Sequence, residues 1–192
     1  ITSGSDKEHF SPDKLCSRAQ TVTFLWRANG SPAVSGNNPF TDVAPEDYFY
    51  QAVLWAVQNG VTSGTSATEF SPYKQVTRAQ VAAFLHRAAG SPNPQSMAIF
   101  ADVSSSAYYA NAVSWAAASG ITTGTSASAF SPDKGCTRAE IATFLYRSKN
   151  GSTQTTKPEP APDPTPQVTE KPVSDLTKLD EKKEETKPEI VE

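Results

Sequence analysis

The chain repeats itself every sixty residues, and that period limits what it can fold into. Cys16-Ser17-Arg18-Ala19-Gln20, Val76-Thr77-Arg78-Ala79-Gln80 and Cys136-Thr137-Arg138-Ala139-Glu140 hold equivalent places. Each follows Phe-Ser-Pro-x-Lys and precedes an apolar run. In each, the hydroxyl residue and the Gln or Glu three places on form a capping box, so a helix starts here three times. The Arg falls in the first helical turn, where the dipole disfavours a cation by roughly a few tenths of a kcal/mol. A local cost kept in three copies implies that the guanidinium has work elsewhere.

The rest of the unit recurs with the same period. Phe40-Thr41-Asp42-Val43 returns as Phe100-Ala101-Asp102-Val103, Tyr48 as Tyr108, Ala52-Val53 as Ala112-Val113, and Gly60 and Gly64 as Gly120 and Gly124. Each unit reads as helix, loop, helix. The first helix spans 48–59, carries a narrow apolar stripe of Ala52, Val53, Ala56 and Val57, and ends at Gly60. The second starts at Thr77, with Val81, Phe84, Leu85 and Ala88 on one face. The opening unit has only its second half, since Ile1-Thr2-Ser3-Gly4 aligns with Val61-Thr62-Ser63-Gly64. The unit bounds are 1–34, 40–94 and 100–150. One helical pair cannot bury both of its apolar faces. Three units sharing one core about a pseudo-threefold axis is the simplest arrangement, because an open solenoid needs capping repeats that are not seen. The expected fold is therefore mainly α.

Composition divides the chain. Residues 151–192 hold seven prolines, ten acidic residues, six lysines and no aromatic, and read as a disordered tail. Its alternating prolines favour a semi-stiff spacer, and Lys and Glu pairs over 176–185 favour a transient helix. The first 150 residues carry eleven Lys or Arg against ten Asp or Glu. That near-neutral balance argues against nucleic acid as a partner. No membrane span, zinc-like cluster or phosphate loop is present, His9 and His86 are isolated, and no cofactor or metal is expected. A chain that opens on Ile1 partway through a unit reads as a fragment or processed product, so its lack of a targeting signal says nothing about destination. Cys16 and Cys136 stand where Val76 stands, which reads as a small buried apolar position. A Cys16–Cys136 disulfide stays open.

These motifs, in this order and at this spacing, resemble the S-layer homology domain over the whole of 1–150. The resemblance implies a helical three-pronged bundle. It also implies non-covalent attachment of a surface protein to cell-wall polysaccharide, often one bearing ketal pyruvate, outside a bacterium with an exposed wall. By match to the family motif, the polysaccharide-binding residues are Arg18, Arg78 and Arg138, Asp42 and Asp102, Tyr48 and Tyr108, and Gly64 and Gly124. A pyruvate ketal presents a carboxylate, which a guanidinium binds bidentately, and helix N-termini add free N–H groups. Gln20 and Gln80 stand where the family commonly has Glu; only Glu140 keeps it. The exchange preserves the cap and removes a negative charge near the Arg.

The alternatives are concrete. The arginines could instead form structural ion pairs with Asp42 or Asp102. Phe10, Phe70 and Phe130 read as core, Trp26, Trp55 and Trp115 as core or half-buried, and His86 as a packing variant of Trp26 and Tyr146. Arg27, Arg87 and Arg147 lie late in the second helix and read as caps or solvated surface. No recurring Ser, His and Asp set supports catalysis, and Asp42 and Asp102 sit in different units rather than flanking one bond. A second reading is a self-assembly module that packs against other copies of the surface protein.

Overall fold

The computed structural model describes residues 1–98 and 100–151. The tail, with its spacer and its 176–185 helix, lies outside the described residues. Among the described residues the chain is mainly helical, with five helices and no strand: α1 (Arg18–Ala28), α2 (Tyr50–Gln58), α3 (Arg78–Ala88), α4 (Ala110–Ala118) and α5 (Arg138–Asn150).

Two kinds of helix start differ in how they satisfy their free N–H groups. α1, α3 and α5 open on complete capping boxes at Ser17 and Gln20, Thr77 and Gln80, and Thr137 and Glu140. α2 and α4 have no side-chain cap. They grow out of a turn instead, in which the Tyr50 amide donates to the Asp47 carbonyl at 2.9 Å and the Ala110 amide to the Ala107 carbonyl at 2.9 Å. This turn starts α2 at Tyr50, two residues after the expected start, and leaves Tyr48 and Tyr108 exposed. Gly60, at φ +65°, ends the α2 turn with its amide on the Val57 carbonyl at 3.0 Å.

The helices that pack side by side come from different units. α2 lies on α1 and α4 lies on α3, while α1, α3 and α5 each touch the other two. The residues before these three helices form a closed cycle of hydrogen bonds. The Val76 amide donates to the Cys16 carbonyl, the Cys136 amide to Val76, and the Cys16 amide to Cys136, each at 3.0 Å. A second cycle surrounds it: the amides of Arg18, Arg78 and Arg138 donate to the carbonyls of Lys74, Lys134 and Lys14 at 2.9–3.0 Å. Segments far apart in sequence thus supply one another's backbone partners at a buried centre.

Cys16, Val76 and Cys136 are all fully buried in that centre. Both thiols are free, so no disulfide links them. Burial pushes the Cys136 thiol up to about 12, and the Cys16 thiol also upward. Both side chains behave as small apolar groups at neutral pH.

Phe70 and Phe130 are fully buried, as their motif suggests, but Phe10 is 37% exposed. The difference has a physical cause. The Phe40 ring packs on Phe70 and the Phe100 ring on Phe130, at 5.7 and 5.9 Å between centroids. Among the described residues Phe10 has no such ring beside it.

Candidate functional site

Among the described residues the three arginines are the most buried charged side chains, each 3% exposed. Each is clamped by the next unit. Arg18 Nε donates to the Phe70 carbonyl at 2.9 Å, Arg78 Nε to Phe130 at 2.9 Å, and Arg138 Nε to Phe10 at 2.7 Å. Each guanidinium also lies between two phenyl rings, at 4.8 and 5.3 Å for Phe70 and Phe84 around Arg18. Phe130 and Phe144 hold Arg78 in the same way, and Phe10 and Phe24 hold Arg138. Aromatic faces and a carbonyl thus compensate the buried cation in place of water.

The sequence alternative of ion pairs to Asp42 and Asp102 is not what holds these arginines. Asp42 accepts from the Phe70 and Ser71 amides at 2.9 and 2.7 Å. Asp102 accepts from Phe130 and Ser131 at 2.8 and 2.7 Å. Ser71 and Ser131 sit at φ +56° and +58°, a left-handed conformation unusual for serine. The carboxylates tie down that strained turn. The Phe130 amide is the main cause holding Asp102 below the usual carboxylate range.

Two of the arginines open onto grooves. The first, of 350 Å³, gathers Arg18, the loop 62–65 with Gly64, Lys74, Gln80, Phe84, Arg87 and Tyr108. The second, of 260 Å³, gathers Arg78, Gly124, Glu140, Phe144 and Arg147 among others. Arg138 and Tyr48 belong to neither. They face a third region, where Arg138 Nη2 donates to Thr2 Oγ1 at 2.9 Å and Tyr48 feels the charges of Arg27 and Arg138. Gly64 has a structural duty too. At φ +90°, a Cβ there would come within 2.5 Å of both the Phe40 ring and the Glu69 carbonyl.

The grooves differ in the helix-cap residue that lines them, besides the Lys74 and Tyr108 that line only the first. In the second, Glu140 Oε2 accepts from the Thr137 amide at 2.9 Å as the helix cap, and Oε1 accepts from Arg78 Nη1 at 3.0 Å. Lys134 Nζ stands 3.5 Å from the same oxygen. Burial opposes ionisation of Glu140, but the Thr137 amide, Arg78 and Lys134 outweigh it and hold the carboxyl below its ordinary value. In the first groove, Gln80 Oε1 caps Thr77 at 3.2 Å. Its remaining head atom is an amide nitrogen, a donor that cannot accept from Arg18. Arg18 Nη2, a different nitrogen from the one that Glu140 meets on Arg78, is buried with no hydrogen-bond partner. Burial pulls the Arg18 pKa below its ordinary value. Three cations and no carboxylate line this groove, whereas two cations and a carboxylate line the other.

Arg87 and Arg147 are groove residues that sequence reasoning placed on the surface. Arg87 Nη1 donates to the Val61 carbonyl at 3.2 Å and Arg147 Nη1 to Ile121 at 3.3 Å, which turns both toward the groove loops. Their recurrence at sixty residues was the available signal. His86 is a packing variant, as expected: its Nε2 pairs with the Pro92 carbonyl at 2.8 Å, where Trp26 Nε1 donates to Pro32 at 2.9 Å.

Buried arginines opening onto grooves between successive repeats define a repeat module that presents cationic clefts. Residues 39–82 and 99–142 match the S-layer homology domain model. Through these two repeats the chain belongs to the S-layer homology domain family. The 125 kDa surface-layer protein of Lysinibacillus sphaericus is 32% identical over 152 residues, covering 77% of this chain and 13% of that protein. An endoglucanase of Bacillus sp. (strain KSM-635) is 33% identical over 88 residues, covering 46% of this chain and 9% of the enzyme. The chain therefore spans a small part of each relative. S-layer homology domains are non-catalytic anchoring modules that bind cell-wall glycans in general, and family membership associates this chain with the cell wall and surface. No helix among the described residues is long and apolar enough to cross a membrane.

Proposed function

We propose that this chain anchors a surface protein non-covalently to an anionic, pyruvate-bearing wall polysaccharide, and that the groove around Arg18 takes the anionic group. The observation that carries this is Arg18 Nη2, buried and unpartnered, at a groove that Lys74 and Arg87 also line and that holds no carboxylate. Glu140 indicates the preferred ligand. Its Oε1 meets Arg78 as an incoming carboxylate would meet Arg18. A ketal carboxylate is the same chemical group carried on a sugar. Tyr108 offers a ring face for the apolar side of that sugar, and Gly64 lets the loop approach closely. Arg78 with Gly124, and Arg138 with Tyr48, form weaker sites in this reading, because each arginine already has an internal partner. Asp42 and Asp102 support the loops that carry Gly64 and Gly124.

The same reading takes units 1–34, 40–94 and 100–150 as one pseudo-threefold bundle, followed by the tail 151–192. The closed hydrogen-bond cycles around Cys16, Val76 and Cys136 support it. Sedimentation of the chain with purified cell walls tests the function. Binding is expected to disappear when the ketal pyruvate is removed from the walls. Undiminished binding to depyruvylated walls would overturn the ligand assignment.

A further inference from the structure

The residue between Pro and Lys of the Phe-Ser-Pro-x-Lys motif is Asp13, Tyr73 and Asp133 in the three units. Tyr73 is 75% exposed, more than any other large apolar side chain among the described residues. It is held in place nevertheless. Its ring stands edge-on to Phe49, with centroids 5.9 Å apart and planes at 85°. Tyr48 stands edge-on to the same ring, at 5.0 Å and 85°. Phe49 itself is buried, at the residue that opens α2. One buried ring thus props two exposed ones in the edge-to-face geometry that aromatic pairs prefer.

This pair belongs to the Arg138 region. Partial desolvation and then Tyr73 push the Tyr48 hydroxyl up, while Arg27 and Arg138 pull it down. Tyr48 is therefore close to Tyr73 and to both cations. The equivalent residues beside Arg18 are Tyr108, Tyr109 and Asp133. Tyr108 and Tyr109 keep the edge-on contact, at 5.0 Å and 84°, but a carboxylate takes the third place. Asp133 is among the groups that add to desolvation in raising the Tyr108 hydroxyl, as Tyr73 does for Tyr48. Arg138 also differs from Arg18 in having Thr2 as a partner. The site with less free charge has the extra ring.

We propose that Tyr73, with Tyr48 and the Phe49 ring that props them, forms a stacking subsite for uncharged sugar residues of the wall glycan, continuing the Arg138 site along the polysaccharide. This rests on the anchor reading above. The surroundings favour a sugar over a protein partner. Glu46, Lys74 and Gln75, next to the rings in sequence, are exposed and polar, whereas the core of a protein interface is depleted of charge. A sugar has an apolar C–H face for a ring and hydroxyls for the polar rim. A tyrosine, with two χ angles, loses little freedom when it takes one up. The cations beside Tyr48 suit a glycan whose other residues carry carboxylates. Tyr73 therefore sets how long a glycan segment is recognised, and Arg138 where its charge sits.

The probe is wall polysaccharide released from purified walls and size-fractionated into single-repeat and multi-repeat fragments, ketal pyruvate intact. It is titrated into the full 192-residue chain carrying Gln80→Glu, which gives the first groove its own carboxylate. Tyr73→Ala should weaken multi-repeat binding by about fivefold and leave single-repeat binding unchanged. Tyr73→Phe should restore it, and Tyr73→Asp, the residue type of the other units, should act like Tyr73→Ala. NMR should show contacts between the Tyr73 ring protons and sugar C–H protons. The unfolding midpoint should hold within about 2 °C, because the side chain is exposed. Multi-repeat binding indifferent to Tyr73→Ala, an equal loss for both fragments, or no Tyr73-to-sugar contact overturns the subsite alone. Failure of the unsubstituted chain to bind either fragment overturns the anchor reading and the subsite with it.

Discussion

The groove around Arg18 and the groove around Arg78 share their scaffold almost atom for atom. In each, a buried arginine donates to a phenylalanine carbonyl and lies between two rings, facing a glycine loop and a second arginine from late in the next helix. They part at the third helical residue, Gln80 against Glu140, and at Lys74 and Tyr108, which line only the first. Both residues complete the same capping box. The carboxylate has a second acceptor oxygen to give to the arginine, and the amide has none. One groove thereby keeps a carboxylate beside its arginine, and the other has three cations and none. The comparison teaches that a helix cap can set the charge of a binding cleft without altering the fold that holds it.

The largest effect should come from removing Arg18. Arg18→Ala leaves the Phe70 carbonyl without its donor and takes the cation from between two rings, so stability should fall by about 2–3 kcal/mol and glycan binding should vanish. Chemical denaturation and wall sedimentation read the two losses separately. Gln80→Glu should give the first groove the carboxylate that the second has. Glycan affinity is expected to drop about tenfold or more, while the helix cap and the unfolding midpoint hold. A variant that binds as well as the parent would break the comparison. Glu140→Gln should do the reverse and free Arg78. Because the Arg18 and Gln80 arrangement is already tolerated, the expected cost is only about 1 kcal/mol. The number of bound glycan segments per chain should rise, measurable by titration calorimetry.

The smallest effect is on pH dependence. Glu140 and Asp102 both have folded values below those of free carboxyls. Their stabilisation is therefore fully present above the unfolded values of about 4. It is lost as pH falls through the lower folded values. Denaturation midpoints should be level from pH 7 to about 5 and decline below about 4. Glu140→Gln should flatten part of that decline. An unchanged acid slope in this variant would mean that Arg78 and Glu140 are not coupled.

Much of this was legible in the sequence, and what was not shares a common reason. The capping boxes, the starts of α1, α3 and α5, and the buried Cys16, Val76 and Cys136 positions are local properties that a period reveals directly. So was the contrast of Gln20 and Gln80 with Glu140. Its consequence was not legible, because Glu140 meets an arginine 62 residues earlier. A repeat says what recurs and is silent on which copy touches which. Hence α2 packs on α1 rather than on the next helix of its own unit. Arg87 and Arg147 looked like caps because their carbonyl partners, Val61 and Ile121, lie 26 residues away. Phe10 was expected in the core because its motif matches Phe70 and Phe130, yet burial depends on a neighbouring ring that the motif does not contain.

The most direct measurement is an NMR titration of the full chain with a pyruvate-ketal wall oligosaccharide, repeated on Gln80→Glu. The account predicts shifts concentrated at the Arg18 guanidinium, the 62–65 loop and Tyr108, and their loss in the variant. Shifts centred on Arg78 and Gly124, or a Gln80→Glu titration matching the parent, would contradict it.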